Sequence, residues 1–149
     1  MISGARIDEL AEANAYRRLD EMEKSTEGAH FLKKHGKQTS LESQRDRAMT
    51  GRNPATGEIE RYTTGRKAGQ PKIPTAATRF FSYRDQLNVI QRAQLIFRRN
   101  GHAASKLPMN MGKEIGEGYK RGGLVYGRQK DAIAILDTSG APITTFADF

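Results

Sequence analysis

The sequence predicts an α+β fold, with helices first and an antiparallel β-sheet after. Three observations predict it. Apolar residues recur at intervals of three to four near the N-terminus and again after Ser82. Short segments of strand-forming residues, separated by turn residues, fill the stretch from Leu124 to the C-terminus. Helices first and an antiparallel sheet after is the α+β pattern, and 149 residues suffice for one domain with its own core.

Residues 1–25 read as one helix, with Ser3 as cap and Ile7, Leu10, Ala11, Ala15, Leu19 and Met22 as an apolar stripe. Lys24 to Gly28 break that pattern, so residues 1–26 form a helical arm or linker and residues 27–149 the main domain. A free tether and a packed arm fit the sequence equally well. Residues 29–35 form a short helix that stops at Gly36. Thr39-Ser40-Leu41-Glu42 is a capping box opening a helix that ends at Gly51. Residues 52–74 are rich in Gly and Pro and carry Arg61, Arg66, Lys67 and Lys72. They read as a basic loop with a turn at Asn53–Gly57 and a short strand from Ile59 to Thr63.

Ala76 to Phe81 read as a strand. Ser82-x-x-Asp85 caps the clearest helix, with Val89, Ile90, Ala93, Ile96 and Phe97 on one face and Asn100-Gly101 at its end. Residues 101–123 are punctuated by glycines and read as irregular. Leu124–Arg128, Ala132–Asp137 and Pro142–Phe146 are three candidate strands, the last two joined by a turn at Thr138-Ser139-Gly140.

Charge narrows the partners. Lys and Arg number 25 against 17 acidic residues, a formal net charge of +8. That excess favours a polyanion: nucleic acid, an anionic membrane surface or an acidic protein. Cysteine is absent, which removes disulfides, thiol nucleophiles and Cys-based zinc sites. No apolar run is long enough to span a bilayer, and Met1 to Arg6 lack the apolar core of a signal peptide. No stable membrane association of this domain is expected. Any export depends on another segment.

His30, His35 and His102 are the only histidines, and none sits in a metal-binding spacing. Gly112-x-x-x-Gly116-x-Gly118-Tyr119-Lys120 matches no phosphate-loop pattern and reads as a tight turn. Metal-free RNA cleavage needs a different inventory. RNA carries its own nucleophile, the 2′-hydroxyl. A base removes its proton, an acid protonates the leaving 5′-oxygen, and a cation or hydroxyl steadies the phosphorane. His30 and His35 flank Lys33-Lys34, Arg79 lies on a strand, Tyr119 precedes the sheet, and Thr144 lies on the last strand. Each also has a purely structural reading: Arg79 pairing with an acid, Tyr119 in the core, Thr144 present for strand propensity.

The ordered motifs add a resemblance. They are Gly28-Ala29-His30-Phe31-Leu32-Lys33-Lys34-His35-Gly36, Thr39, Arg47-Ala48, Thr50-Gly51, Thr78-Arg79-Phe80 and Asp85-Gln86. Gly116-Glu117-Gly118-Tyr119, Gly122-Gly123 and a closing hairpin with Ile143-Thr144 complete the series. Together they resemble the C-terminal toxin domain of bacterial contact-dependent growth inhibition proteins, the tRNA-cleaving subgroup, over about residues 28–149. The resemblance implies a fold of the barnase–EndoU–colicin–RelE type, N-terminal helices packed on a twisted antiparallel sheet, and metal-independent cleavage of tRNA, with no cofactor. It also implies a cognate immunity protein, expected to be acidic. The domain is then part of a larger secreted effector and acts in the target-cell cytoplasm. By position, His30, His35, Arg79, Tyr119 and Thr144 take the catalytic roles, with base and acid left open between the histidines. Lys33, Lys34, Lys120, Arg121 and Arg128 are the cations expected to hold RNA. The alternative is a non-catalytic basic module that binds nucleic acid or serves as an interaction surface.

Overall fold

A computed structural model describes residues 4–100 and 105–149. The described residues form α1 (Gly4–Ser25), α2 (Phe31–His35), α3 (Leu41–Thr50), β1 (Ala76–Phe80), α4 (Tyr83–Arg99) and β2 (Ser105–Asn110). Then come β3 (Gly116–Lys120), β4 (Tyr126–Gln129), β5 (Asp131–Leu136) and β6 (Pro142–Asp148). The fold is α+β, with all strand pairs antiparallel. The strands divide between two three-stranded sheets, in the orders β1-β3-β4 and β2-β5-β6, instead of forming the single sheet expected. The sheets meet where the Thr78 hydroxyl on β1 donates to the Ala147 carbonyl on β6 at 2.6 Å.

α4 is the hub. Ser82 caps it by accepting from the Asp85 amide at 3.0 Å. Val89, Ala93 and Phe97 pack on Phe80, Met109, Ile115 and the small inward residues of β5 and β6. Leu87 and Ile90, round the same helix, meet Ala15 and Leu19 of α1 and Phe31 and Leu32 of α2. α1 is therefore a packed element, but only through its second half. Ile7 and Leu10, expected in its buried stripe, are 55% and 48% exposed. The Ser3 cap and Gly101 lie outside the described residues.

Other local expectations change in detail. Ser40, not Thr39, caps α3, accepting from the Ser43 amide at 3.0 Å. Thr39 donates instead to the Gly36 carbonyl at 2.8 Å. Gly51 closes α3 at φ 82°, and a Cβ there would lie 2.8 Å from the Lys72 carbonyl oxygen. The strand expected at Ile59–Thr63 exists only as isolated bridges, Arg52 to Ile59 and Arg61 to Pro71.

Two strands fall where the sequence reads as irregular. β2 carries Pro108, tolerated because β2 is an edge strand and its missing donor need not face a neighbour. β3 carries Gly116 and Gly118, where other backbone presses close. A Cβ on Gly116 would lie 2.7 Å from the Ala147 methyl, and one on Gly118 would be 2.7 Å from Thr78 Cα.

Candidate functional site

α2 is five residues long, too short to hold its own shape, and it is fixed from four sides. At its start the Glu23 carboxylate of α1 accepts from the Leu32 and Lys33 amides at 2.6 and 3.1 Å. The Gln86 amide of α4 donates to the Phe31 carbonyl, and the Gln44 amide of α3 to the Lys34 carbonyl, each at 2.8 Å. The His30 amide donates to the Ile143 carbonyl of β6 at 3.1 Å. Gln38 donates to the Leu32 carbonyl.

This frame carries both histidines, and both are oriented alike. His30 Nδ1 lies 3.1 Å from the Gly28 carbonyl oxygen, and His35 Nδ1 lies 3.3 Å from that of Thr78. A carbonyl only accepts, so each Nδ1 must carry the proton. In the neutral ring the basic nitrogen is then Nε2. His30 sits at the N-cap of α2 and is half-buried, whereas His35 at the last position is 5% exposed.

His35 is enclosed by polar and aromatic groups from three elements. Its ring centroid is 5.6 Å from that of Phe146. Burial, and then the Arg47 charge, hold its imidazole well below the usual pKa of 6.5, against the Thr78 carbonyl. The ring is therefore neutral at pH 7. Arg47 of α3 is half-buried; burial lowers its guanidinium, Glu60 opposes, and its buried Nε has no partner among the described residues. Lys34 Nζ pairs with Glu60 Oε1 at 2.9 Å, with only 13% of the lysine side chain exposed. Burial lowers Lys34 more than Glu60 raises it. Burial pushes the Glu60 carboxyl up, but Lys34, Arg47 and Lys72 outweigh it and hold it below its ordinary value. Arg47, like Glu60 and Glu23, is a residue that sequence reasoning left without a role. Its only signal was membership of the Arg47-Ala48 motif.

Thr144 lies on β6 opposite Ile135, on the face that also carries Phe146. It is 7% exposed and its hydroxyl has no hydrogen-bond partner. Its neighbour Thr145 points to the other face, that of Ala134 and Ala147, and its buried hydroxyl is also unpartnered.

Arg79 and Tyr119 belong to a different assembly on the β1-β3-β4 sheet. Arg79 donates to the Glu117 carboxylate at 2.8 Å and to the Lys37 carbonyl at 2.5 Å. Glu117 also accepts from the Tyr126 hydroxyl at 2.8 Å, and Arg128 pairs with Glu114 at 3.2 Å. Tyr119 packs edge-on against Tyr126 at 5.6 Å, with the Arg45 guanidinium 5.8 Å from its ring centroid. Arg79 reaches the segment after α2 through the Lys37 carbonyl. Tyr119 packs with Tyr126 and Arg45, not with His30 or His35.

The expected RNA-binding cations are scattered. Lys33 is exposed, Lys34 is tied to Glu60, and Arg128 is tied to Glu114. Lys120 lies 5.5 Å from the Phe149 ring centroid, and Arg121 donates to the Ile73 and Pro74 carbonyls at 3.0 and 3.2 Å.

Among the described residues no group of three or more His, Cys, Asp or Glu side chains could hold a metal ion, and no helix is long and apolar enough to cross a membrane. His102 lies outside the described residues. A surface hollow of about 350 Å³ is lined by Asp85, Asn88, Arg92 and Lys113, away from the histidines. Comparison with family models, curated proteins and solved structures finds no match for this chain.

Proposed function

We propose that the chain is a metal-independent endoribonuclease of the toxin type, acting on tRNA. The observation that carries this reading is the histidine pair. Two imidazoles on one short segment each have Nδ1 bound to a backbone carbonyl, which leaves Nε2 as the proton-transfer atom of both. Arg47 beside His35 supplies positive charge for a phosphate, and the unpartnered Thr144 hydroxyl supplies a donor.

In the proposed reaction His35, neutral at pH 7, takes the 2′-hydroxyl proton on Nε2. The 2′-oxygen attacks the adjacent phosphorus, and the bond from phosphorus to the 5′-oxygen breaks. His30, more exposed and entering the reaction as the imidazolium, gives its Nε2 proton to that leaving oxygen. The products are a 2′,3′-cyclic phosphate and a free 5′-hydroxyl, with no net change in protons. Arg47 and Thr144 steady the charge on the phosphorane. Arg79 and Tyr119, placed outside this cluster, act at most by positioning the Lys37 loop and the neighbouring sheet. On this reading the domain belongs to a larger secreted effector, acts in the cytoplasm of a target bacterium, and is neutralised by an acidic immunity protein.

One observation favours a second reading. His35 is 5% exposed, so substrate reaches it only if the side chains over it shift. A basic module that binds RNA without cutting it needs no such movement. Purified protein incubated with tRNA in EDTA separates the two. The ribonuclease reading expects fragments ending in cyclic phosphate, and their loss in the His30→Ala, His35→Ala double variant. Salt-sensitive binding with no fragments at any pH establishes the module instead.

A further inference from the structure

Residues 61–72 hold Arg61, Arg66, Lys67 and Lys72 and no carboxylate. Those four cations equal half of the chain's formal net charge of +8. Nearly the whole segment is exposed, with Tyr62 alone half-buried. Most cations elsewhere near a carboxylate are paired with it, as Arg52 is with Asp46 and Arg84 with Asp8. Among the described residues none of these four forms a direct ion pair, and Glu60, next to Arg61 in the chain, is already held by Lys34.

The segment is also ordered by its own backbone. Tyr62 donates to the Gln70 carbonyl at 3.1 Å, Gly69 to that of Tyr62 at 2.8 Å, and Lys72 to that of Glu60 at 2.7 Å. Arg61 donates to the Gly69 carbonyl at 2.9 Å. Two lysines converge on one aromatic ring: Lys67 and Lys72 Nζ lie 5.7 and 5.9 Å from the Tyr62 centroid. Such contacts hold flexible side chains near a fixed point. At the base of the arch Arg121 grips the Ile73 and Pro74 carbonyls, which places a fifth cation beside Lys72. Like charges gathered on a fixed frame, with only Glu60 near Lys72 and that carboxylate already paired to Lys34, repel one another and favour a polyanion.

We propose that this arch, residues 61–72 together with Arg121, is a docking surface for the phosphate backbone of single-stranded or looped RNA. It rests on the ribonuclease reading for one point only, the path of the strand. The Lys34–Glu60 pair ties the arch to the helix that ends in His35, so RNA lying on the arch leads toward that residue. A membrane surface fits less well, because between Arg61 and Lys72 only Tyr62, Ala68 and Pro71 offer apolar surface to bury in lipid.

The test measures binding to a short 2′-O-methyl RNA, which lacks the nucleophile and so reports docking whether or not the protein is a nuclease. The arch variant is Arg61→Gln, Arg66→Gln, Lys67→Gln, Lys72→Gln. The control removes as much charge elsewhere, through Arg98→Gln, Arg99→Gln, Lys106→Gln and Lys130→Gln, all exposed positions. Each phosphate contact on single-stranded nucleic acid contributes about 0.7 to the slope of log affinity against log salt, so the arch variant should flatten that slope by roughly 3. Its affinity should fall at least about tenfold below that of the control variant at low salt. Equal losses in the two variants overturn the proposal, as does parental binding through the arch to phosphatidylserine vesicles but not to RNA. Cleavage of tRNA with unchanged arch-variant docking rejects the arch alone. Docking through the arch without cleavage rejects the nuclease alone.

Discussion

The Glu23 carboxylate on α1 accepts a hydrogen bond from the Leu32 amide at 2.6 Å, and through it the N-terminal helix closes the start of the histidine-bearing helix. The same oxygen takes the Lys33 amide at 3.1 Å, so two amides that a short helix leaves orphaned share one acceptor. Glu12, further up α1, does the equivalent for α4, accepting from the Tyr83 and Arg84 amides at 3.2 and 2.8 Å. Glu23→Ala strands two amides and is expected to destabilise by about 1–3 kcal/mol. Glu23→Gln keeps an acceptor oxygen and should cost less. Urea unfolding of the two variants checks this. Equal stability of parent and Glu23→Ala shows that α1 does not hold α2.

His35 makes stability depend on pH. Its folded-state pKa lies well below the ordinary 6.5, because burial and Arg47 disfavour the charged ring. Between those two values the unfolded chain binds a proton that the folded chain refuses, so stability rises with pH there. The contribution is present in full above about pH 7 and is lost as pH falls below the unfolded pKa. From pH 7.5 to pH 5.5 the protein should lose stability through this group, by at most about 1.4 kcal/mol. His35→Phe should abolish that part of the slope. An unchanged slope in His35→Phe places the proton uptake elsewhere.

Gly118 faces Thr78 across the β1–β3 pair, and an added methyl would meet the Ala77 carbonyl oxygen and, at 2.7 Å, Thr78 Cα. Neither is a flexible side-chain tip that can step aside. Gly118→Ala should therefore force the strands apart and cost about 2–4 kcal/mol in thermal or urea unfolding. Gly57, at φ 76° with nothing near its Cβ position, is the contrast. Gly57→Ala carries only left-handed backbone strain, about 1–2 kcal/mol. If the two variants unfold alike, close packing at Gly118 is not what requires glycine.

The legible parts of the fold are those that local periodicity encodes. α4 was readable because Ser82 caps it and Val89, Ile90, Ala93 and Phe97 share one face. β5 and β6 were readable from strand-forming residues on either side of an Asp137 turn. β2 and β3 were not, because Pro108 and the Gly116–Gly118 pair satisfy demands set by distant chain: an edge position, and the approach of Ala147 and Thr78. The same limit applies to the site. The histidine spacing was visible, but His35 is kept neutral by burial and the Arg47 charge, and its neighbours Arg47, Thr78 and Phe146 lie on three different elements. Arg79 illustrates the converse. Its strand position was read correctly, while its commitment to Glu117 depends on a strand the sequence did not reveal.

Thr144 and Thr145 are neighbours on β6 with opposite outlooks, and they offer the cleanest separation of structure from function. Both hydroxyls are buried, and neither has a hydrogen-bond partner among the described residues. A buried hydroxyl without a partner carries a desolvation cost of about 1–3 kcal/mol, so Thr144→Val and Thr145→Val should each be at least as stable as the parent. Their activities should diverge. Thr144 shares its face with Phe146, which touches His35, whereas Thr145 faces the core with Ala134 and Ala147. If Thr144 donates to the phosphorane, its loss should lower tRNA cleavage by about 100-fold, as removal of a single transition-state donor does elsewhere. Thr144→Ser should restore most of that rate, and Thr145→Val should leave it unchanged. Melting temperature and cleavage rate, measured on the same preparations, separate the two roles. Full activity in Thr144→Val assigns the hydroxyl to strand structure alone, and equal losses in both variants trace the defect to β6 as a whole.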